Sequence, residues 1–364
     1  MNPNQSFLKM YHIMLYIAIL LFTISNVYLF IRGWQVLSGN NYIIIILYIT
    51  AYLFLTLSLL SGFLLRDYLP MKPGNNLRLI GAYWILFFVT FLAAAIFADL
   101  LRILDHFFNI FPSWIKNHYT LVKLVYAGLV FLLISIICIC GFRTVKNPQI
   151  TDLDISINKE VDDLKIIAAG DIHLGYIIRT KHLEEWVEMI NDEDPDLVLL
   201  VGDIFDRFVD FNDIQSIQNI LKKLKSRYGV YAVPGNHEYY VGIDNSIKYL
   251  QRSGITVLRD SAITVDNRFV IIGRDDVYNR KRRPLDSIIA TVDSSIPVIL
   301  MDHSPNINGS VKFGVDVHLS GHLHNGQIFP FNIILKKMWG FIYGYRKVED
   351  THFYVTSGLG ITYL

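Results

Sequence analysis

Residues 42–65 carry no charged side chain, and that run limits what the chain can become. A helix of ~20 apolar residues crosses the ~30 Å hydrocarbon layer of a bilayer. Only helices and closed barrels satisfy their backbone polar groups there. Three similar runs, at about 10–31, 79–101 and 121–142, predict a transmembrane domain of four helices over residues 1–146. Buried helices of soluble proteins rarely run so far without a polar face. The first run is too long for a signal-peptide core and lacks a small-residue cleavage pattern.

Charge marks the same boundary. Residues 1–150 hold ten Lys/Arg and three Asp/Glu, whereas the remaining 214 hold 23 basic and 29 acidic side chains. The net +1 of the chain is therefore a cancellation. The split excludes one uniform soluble domain, a disordered chain and a nucleic-acid binder driven by bulk basic charge. The two cysteines, Cys138 and Cys140, both lie in the fourth run, which excludes a disulfide framework. Lys9, Arg66, Lys72, Arg78, Arg143 and Lys146 fall on one side of the spans, against Arg32, Arg102, Lys116 and Lys123 on the other. That bias places the following domain on the cytoplasmic face of the cell membrane. Asp99 and Arg102, three apart near the end of the third run, read as an interfacial i,i+3 ion pair.

After a polar connector (147–163), residues 164–364 change character. Short apolar runs at 164–169, 196–201, 229–233, 262–265, 269–273, 297–301, 315–319 and 353–356 predict strands. Helical spacing at 182–191, 213–225 and 245–253 predicts helices between the early ones. Alternation early and hairpin-like strands later predict a mixed sheet system covered by helices. Polar residues gather where the strands end: Asp171-Ile-His173, Gly202-Asp203-Ile-Phe-Asp206, Gly235-Asn236-His237-Glu238, His303, and Gly321-His322-Leu-His324. Carboxylates, imidazoles and one amide suit Mn, Fe or Zn, and the lack of thiolate argues against a structural zinc site. A carboxylate such as Asp203 can bridge two metals ~3.5–4 Å apart, the spacing used for in-line displacement at phosphorus.

In this order D-x-H, G-D-x-x-D, G-N-H-E, H and G-H-x-H resemble the calcineurin-like metallophosphoesterase superfamily, over about 164–360. In detail the chain resembles the membrane-anchored bacterial branch similar to UDP-2,3-diacylglucosamine pyrophosphatases. The resemblance implies a four-layered αββα sandwich with a dinuclear site holding two divalent ions, manganese first, iron or zinc as alternatives. It implies that Asp171, His173, Asp203 and His324 hold the first metal, and that Asp203, Asn236, His303 and His322 hold the second. His237 would face the leaving-group oxygen, and Asp206 and Glu238 would orient His237 and the ligands. In that family the segment after Ser357–Gly360 usually continues into a further loop and strand; here the sequence ends at Leu364, so that edge is expected to be clipped or missing.

Three further features bear on the substrate. Asp275 and Asp276 follow a strand and read as a turn or a cleft lining. Arg280–Arg283 read as a solvated loop, with contact to an anionic phosphate or headgroup as the sharper alternative. Between residues 326 and 347, Phe331, Ile334, Leu335, Met338 and Ile342 fall at helical spacing. Trp339, Phe341, Tyr343, Tyr345, Lys336, Lys337, Arg346 and Lys347 lie among them, as in an interfacial segment. The expected function is a membrane-anchored phosphoesterase for a phosphate ester or pyrophosphate, lipid-linked at the bilayer. The alternatives are a tethered enzyme for soluble substrates and a catalytically silent scaffold.

Overall fold

The computed structural model describes residues 3–37, 39, 41–65, 68–327 and 331–361. Arg66, the side chains of Lys9 and Phe331, and the chain end at 362–364 lie outside the described residues. The chain divides into two compact units between Arg143 and Thr144.

The first unit is helical: α1 (Pro3–Leu37), α2 (Tyr42–Leu64), α3 (Met71–Phe108), the short α4 (Ser113–Asn117) and α5 (Tyr119–Lys146). Among the described residues, four of these are long and apolar enough to cross a membrane. Leu47 (63% exposed), Phe54 and Leu129 show bare apolar side chains, as a helix with lipid for solvent must. What holds the helices together is different. A Cβ on Gly81 of α3 would lie 2.7 Å from the Leu59 backbone of α2, so glycine is what lets these two helices touch. Leu29, Tyr52, Trp84 and Phe88 form a small core, and Tyr52 donates its hydroxyl to the Asn26 backbone carbonyl at 2.9 Å. Asp99 pairs with Arg102 at 2.7 Å as expected. It also accepts from Tyr28 at 2.7 Å and pairs with Arg32, both on α1. The expected local pair is thus a link between helices.

The second unit runs β1 (Ile166–Ala169), α6 (Thr180–Asp192), β2 (Leu197–Val201), α7 (Ile214–Leu221), β3 (Val230–Val233), α8 (Asn236–Val241), α9 (Ile243–Arg252) and β4 (Thr256–Val257). It continues β5 (Ser261–Val265), β6 (Phe269–Gly273), α10 (Leu285–Ile289), β7 (Val298–Met301), α11 (Ile307–Lys312), β8 (Val317–Ser320), α12 (Phe331–Trp339), β9 (Gly344–Val348) and β10 (Thr351–Val355). The sheets are ordered β1-β2-β3-β4 and β5-β6-β7-β8-β10-β9.

Strand periodicity explains the layering. Val198 and Leu200 of β2 face a core shared with Leu183, Trp186 and Ile190 of α6 and with α7 and α9. Leu197, Leu199 and Val201 face the other way, toward Phe269 and Ile271 of β6 and Met301 of β7. Beyond that second sheet, Val270 and Ile272 pack against Leu285 and Ile288 of α10. The layers are therefore helix, sheet, sheet, helix: the αββα sandwich.

Three local expectations are corrected. α7 stops at Leu221 rather than at residue 225, because the Asn191 side chain accepts from Lys225 N and donates to Lys223 O, both at 2.8 Å. The later strands are less hairpin-like than expected: only β5/β6 and β9/β10 are antiparallel, while β6, β7, β8 and β10 run parallel. The helix expected through residue 342 ends at Trp339, and Gly340 at φ 75° turns the chain toward β9. Ile342 is consequently buried off the helix, and Tyr345, Arg346 and Lys347 belong to an edge strand.

Candidate metal centre

Parallel strands deliver their C-terminal ends to one edge of a sheet. β1, β2 and β3 deliver Asp171, His173, Asp203 and Asn236 from the first sheet, and β7 and β8 deliver His303, His322 and His324 from the second. Close approach at this edge demands glycine before several of them. A Cβ on Gly235 would lie 2.2 Å from Asp203 Oδ1, and one on Gly321 would lie 2.3 Å from Asp171 Oδ2. Asp171 (φ 52°), His173 (52°), Asp203 (51°), His322 (73°) and His324 (45°) all occupy the left-handed region. Asp and His tolerate that region better than bulky residues do.

Backbone groups then aim the side chains. The amide of His322 donates to both Asp171 oxygens at 3.1 Å, and the amide of His237 donates to Asp203 Oδ1 at 2.8 Å. His303 Nδ1 lies 2.8 Å from the Val201 carbonyl, which assigns the proton to Nδ1 and turns the Nε2 lone pair inward. Glu238 is buried and accepts four amides: Asp203 at 3.0 Å, Gly235 at 2.8 Å, Ile204 at 2.8 Å and Phe205 at 3.0 Å. It does not face the cleft; it clamps the loop carrying Asp203 to the loop carrying Asn236. Asp206 stands 3.3 Å from His237 Nδ1.

Three clusters result, each with ligand atoms within 4.8 Å of one another: Asp171, His173 and His324; His173, Asp203 and His237; Asp203, His303 and His322. His173 Nε2 and His324 Nε2 are 3.0 Å apart, and His303 Nε2 lies 3.1 Å from Asp203 Oδ2. All of the residues expected to hold metal from β1, β2, β7 and β8 fall in these clusters. Asn236 sits beside them with its amide oxygen buried and without a hydrogen bond. Buried polar atoms without partners are costly, so lone pairs left unsatisfied around one small region fit divalent cations. The donor set of carboxylate, imidazole and amide oxygen fits the same group of metals. The site was legible because each ligand follows an apolar run. Tyr239 and Tyr240, next to Glu238, carried no such signal.

The electrostatics are set by burial and close charges. Burial pushes the Asp171 carboxyl up to about 7, against the pull of His303. For Asp203 burial acts upward too, but the imidazoles of His303, His237 and His173 hold it well below the ordinary range. Burial lowers His322 and His324 to about 4, which favours the neutral form a ligand needs. His237 goes the other way: burial opposes its charge, but Asp206 and Asp203 raise it.

The other sequence features resolve as follows. Asp275 and Asp276 are buried. Arg282 pairs with Asp302 at 2.7 Å, and Arg283 N donates to Asp260 at 2.7 Å, so half of the basic run is structural rather than solvated. His318 lies between Ser310 and Ser320 at 2.6 and 2.9 Å, remote in role from the ligand clusters.

A helix–sheet–sheet–helix fold here gathers carboxylates and imidazoles at parallel strand ends, in groups that could hold metal ions. Residues 164–326 match the calcineurin-like phosphoesterase family. The chain is 30% identical over 356 residues to an uncharacterized metallophosphoesterase of Campylobacter jejuni, covering 95% of this chain and 92% of that one. It therefore belongs to the calcineurin-like metallophosphoesterase family. It is also 34% identical over 226 residues to an uncharacterized metallophosphoesterase of Helicobacter pylori; the match spans 60% of each chain. A transmembrane protein with metallophosphoesterase domain from Danio rerio is 29% identical over 253 residues, covering 64% of this chain and 57% of that one.

Proposed function

We propose that the chain is a membrane-anchored phosphoesterase with two divalent metals, hydrolysing a phosphate ester or pyrophosphate bond in a lipid-linked substrate at the bilayer surface. The hydrolase reading is carried by three clusters, the middle one joined to the first through His173 and to the third through Asp203. Asp171, His173, Asp203 and His324 would hold one ion, and Asp203, Asn236, His303 and His322 the other. A set of two carboxylates, one amide oxygen and four imidazoles suits manganese, with iron or zinc as alternatives. Bound there, the two cations would neutralise the phosphate and lower the pKa of an attacking water. With Nδ1 turned to Asp206, His237 has Nε2 left for the substrate. Its raised proton affinity suits donation to the leaving oxygen.

The lipid-linked reading rests on α12. Ile333, Ile334, Met338 (72% exposed) and Trp339 are bare to solvent, with Lys336 and Lys337 among them. The Trp339 ring stands 6.1 Å from the ring of His322. An apolar and basic helix of this composition suits an anionic bilayer surface, and it adjoins a ligand of the centre. The charge bias of the spans supports a cytoplasmic position for the domain.

The test is turnover of lipid phosphates and nucleotide-linked lipids by the Mn²⁺-loaded full chain in detergent, with products identified by mass. Met338→Ser with Trp339→Ser should spare hydrolysis of bis(p-nitrophenyl) phosphate and lower turnover of the lipid substrate about tenfold. Equal loss on both would refute the lipid reading and favour a tethered enzyme for soluble substrates.

A further inference from the structure

Beside His322 and Asn236, a cleft of about 790 Å³ opens against the metal centre. Asn236 and His322 form its floor, and Tyr239, Tyr240 and Tyr278 its wall. The Tyr239 and Tyr278 rings are 5.2 Å apart, and Tyr240 meets Tyr278 edge-on at 5.6 Å. Tyr240 also lies 5.1 Å from the His237 ring, so the aromatic wall reaches the centre itself. Tyr240 and Tyr278 are nonetheless 45% and 57% exposed. Three tyrosines presenting ring surface to solvent in one cleft call for an explanation.

The wall is built rigidly. Tyr239 donates its hydroxyl to Asp275 at 2.7 Å and accepts from Arg259 at 2.8 Å. Arg259 in turn pairs with Asp275 at 2.7 Å. Asn279 donates to the same carboxylate at 2.6 Å, and Tyr278 N donates to Asp276 at 2.8 Å. The buried aspartates thus fix the loop that carries Tyr278. At the rim stand Arg280 and Lys281. Arg259, Arg274 and Arg282 are each paired with an aspartate. Among the described residues, the side chains of Arg280 and Lys281 have neither a hydrogen bond nor an ion pair. In a net-acidic half of the chain, two unpaired cations beside these rings outnumber the one carboxylate that lines the cleft, Asp276.

We propose that this cleft is a specificity subsite taking a flat ring that bears a second anionic group, joined to the phosphorus held at the metal centre. The ring stacks on Tyr278 and Tyr240, as bases stack on aromatic side chains, and the anion sits between Arg280 and Lys281. This rests on the hydrolase reading above and names the non-leaving side of its substrate.

Three diesters with the same p-nitrophenol leaving group test it in the Mn²⁺-loaded full chain: p-nitrophenyl phosphorylcholine, the p-nitrophenyl ester of thymidine 5′-phosphate, and that ester with a 3′-phosphate. In the native protein kcat/KM should rise in that order, by on the order of tenfold at each step. Tyr278→Ala should erase the thymidine-over-choline step, chiefly through KM. Arg280→Ala with Lys281→Ala should erase only the 3′-phosphate step. Equal rates on all three esters in the native protein, or variants that slow all three alike, would overturn the subsite while leaving the hydrolase intact. Absence of any turnover would remove the hydrolase reading, and the subsite with it.

Discussion

The two units use buried polar groups in opposite ways. In the helical unit, among the described residues, they tie one helix to another: Asn26 to Tyr52, Arg78 to the Gly62 carbonyl at 3.0 Å, and the half-buried Asp99 to Tyr28 and Arg32. In the sandwich they crowd one sheet edge, where His173 Nδ1 and Asn236 Oδ1 have no hydrogen bond; the helical unit has such atoms too, Arg32 Nε and Trp84 Nε1, but scattered rather than gathered. Where lipid is the solvent, an unmet donor or acceptor is a defect to be closed. At the strand ends such atoms are gathered into a donor set that suits a divalent cation. Polarity buys cohesion in one unit and binding capacity in the other.

The sharpest way to break this contrast is at Asp203. Asp203→Asn should leave the sandwich folded but lower metal affinity by more than the roughly 10–100-fold that loss of a supporting outer partner costs. Calorimetric titration with Mn²⁺ and turnover of bis(p-nitrophenyl) phosphate both read it. Unchanged activity would make Asp203 a structural residue. Glu238→Gln comes next, because one carboxylate satisfies four amides. An amide side chain cannot accept on both arms, so donors are left unmet at about 1–3 kcal/mol. The melting temperature of the sandwich should fall by several degrees and metal affinity with it, and a drop in only one of these would separate clamp from centre.

In the helical unit the counterpart is Asp99→Asn. It should cost about 1 kcal/mol, since the pair is partly exposed. Helicity lost on heating in detergent would show it, with hydrolysis of a soluble diester unchanged; a catalytic defect would contradict the division of labour. The smallest effect concerns acid. Burial lowers His318 to about 3, so below its ordinary value near 6.5 the unfolded chain binds a proton that the folded one refuses. Stability should therefore fall as pH drops from about 6.5 toward 3. His318→Gln should flatten that slope in pH-dependent unfolding of metal-stripped protein, and an unaltered slope would assign the acid sensitivity elsewhere.

Much of this was legible in the sequence, because two strong periodic signals wrote it. Uncharged runs longer than a bilayer is thick have one outcome, and apolar runs of five ending in Gly-Asp or Gly-His mark strand tips. What stayed hidden depended on partners distant in the chain. Arg32 finds Asp99 across 67 residues, and Arg282 finds Asp302 only once the sheet is built. The end of α12 was lost because apolar spacing continued past Gly340, whose positive φ broke the helix that the pattern promised. The tyrosine cluster was invisible because its members are distant in the chain: Tyr239 and Tyr240 lie on α8 and Tyr278 on the loop after β6.

The left-handed turns at Asp171, His173, Asp203, His322 and His324 have a consequence for selection. Each such turn in a residue other than glycine costs on the order of 1–3 kcal/mol, and glycine would relieve it. A laboratory evolution of this domain toward heat resistance alone would therefore favour glycine at the very positions proposed to hold cations. Its most durable descendants would have lost the proposed ligands, and only continued demand for turnover would retain them.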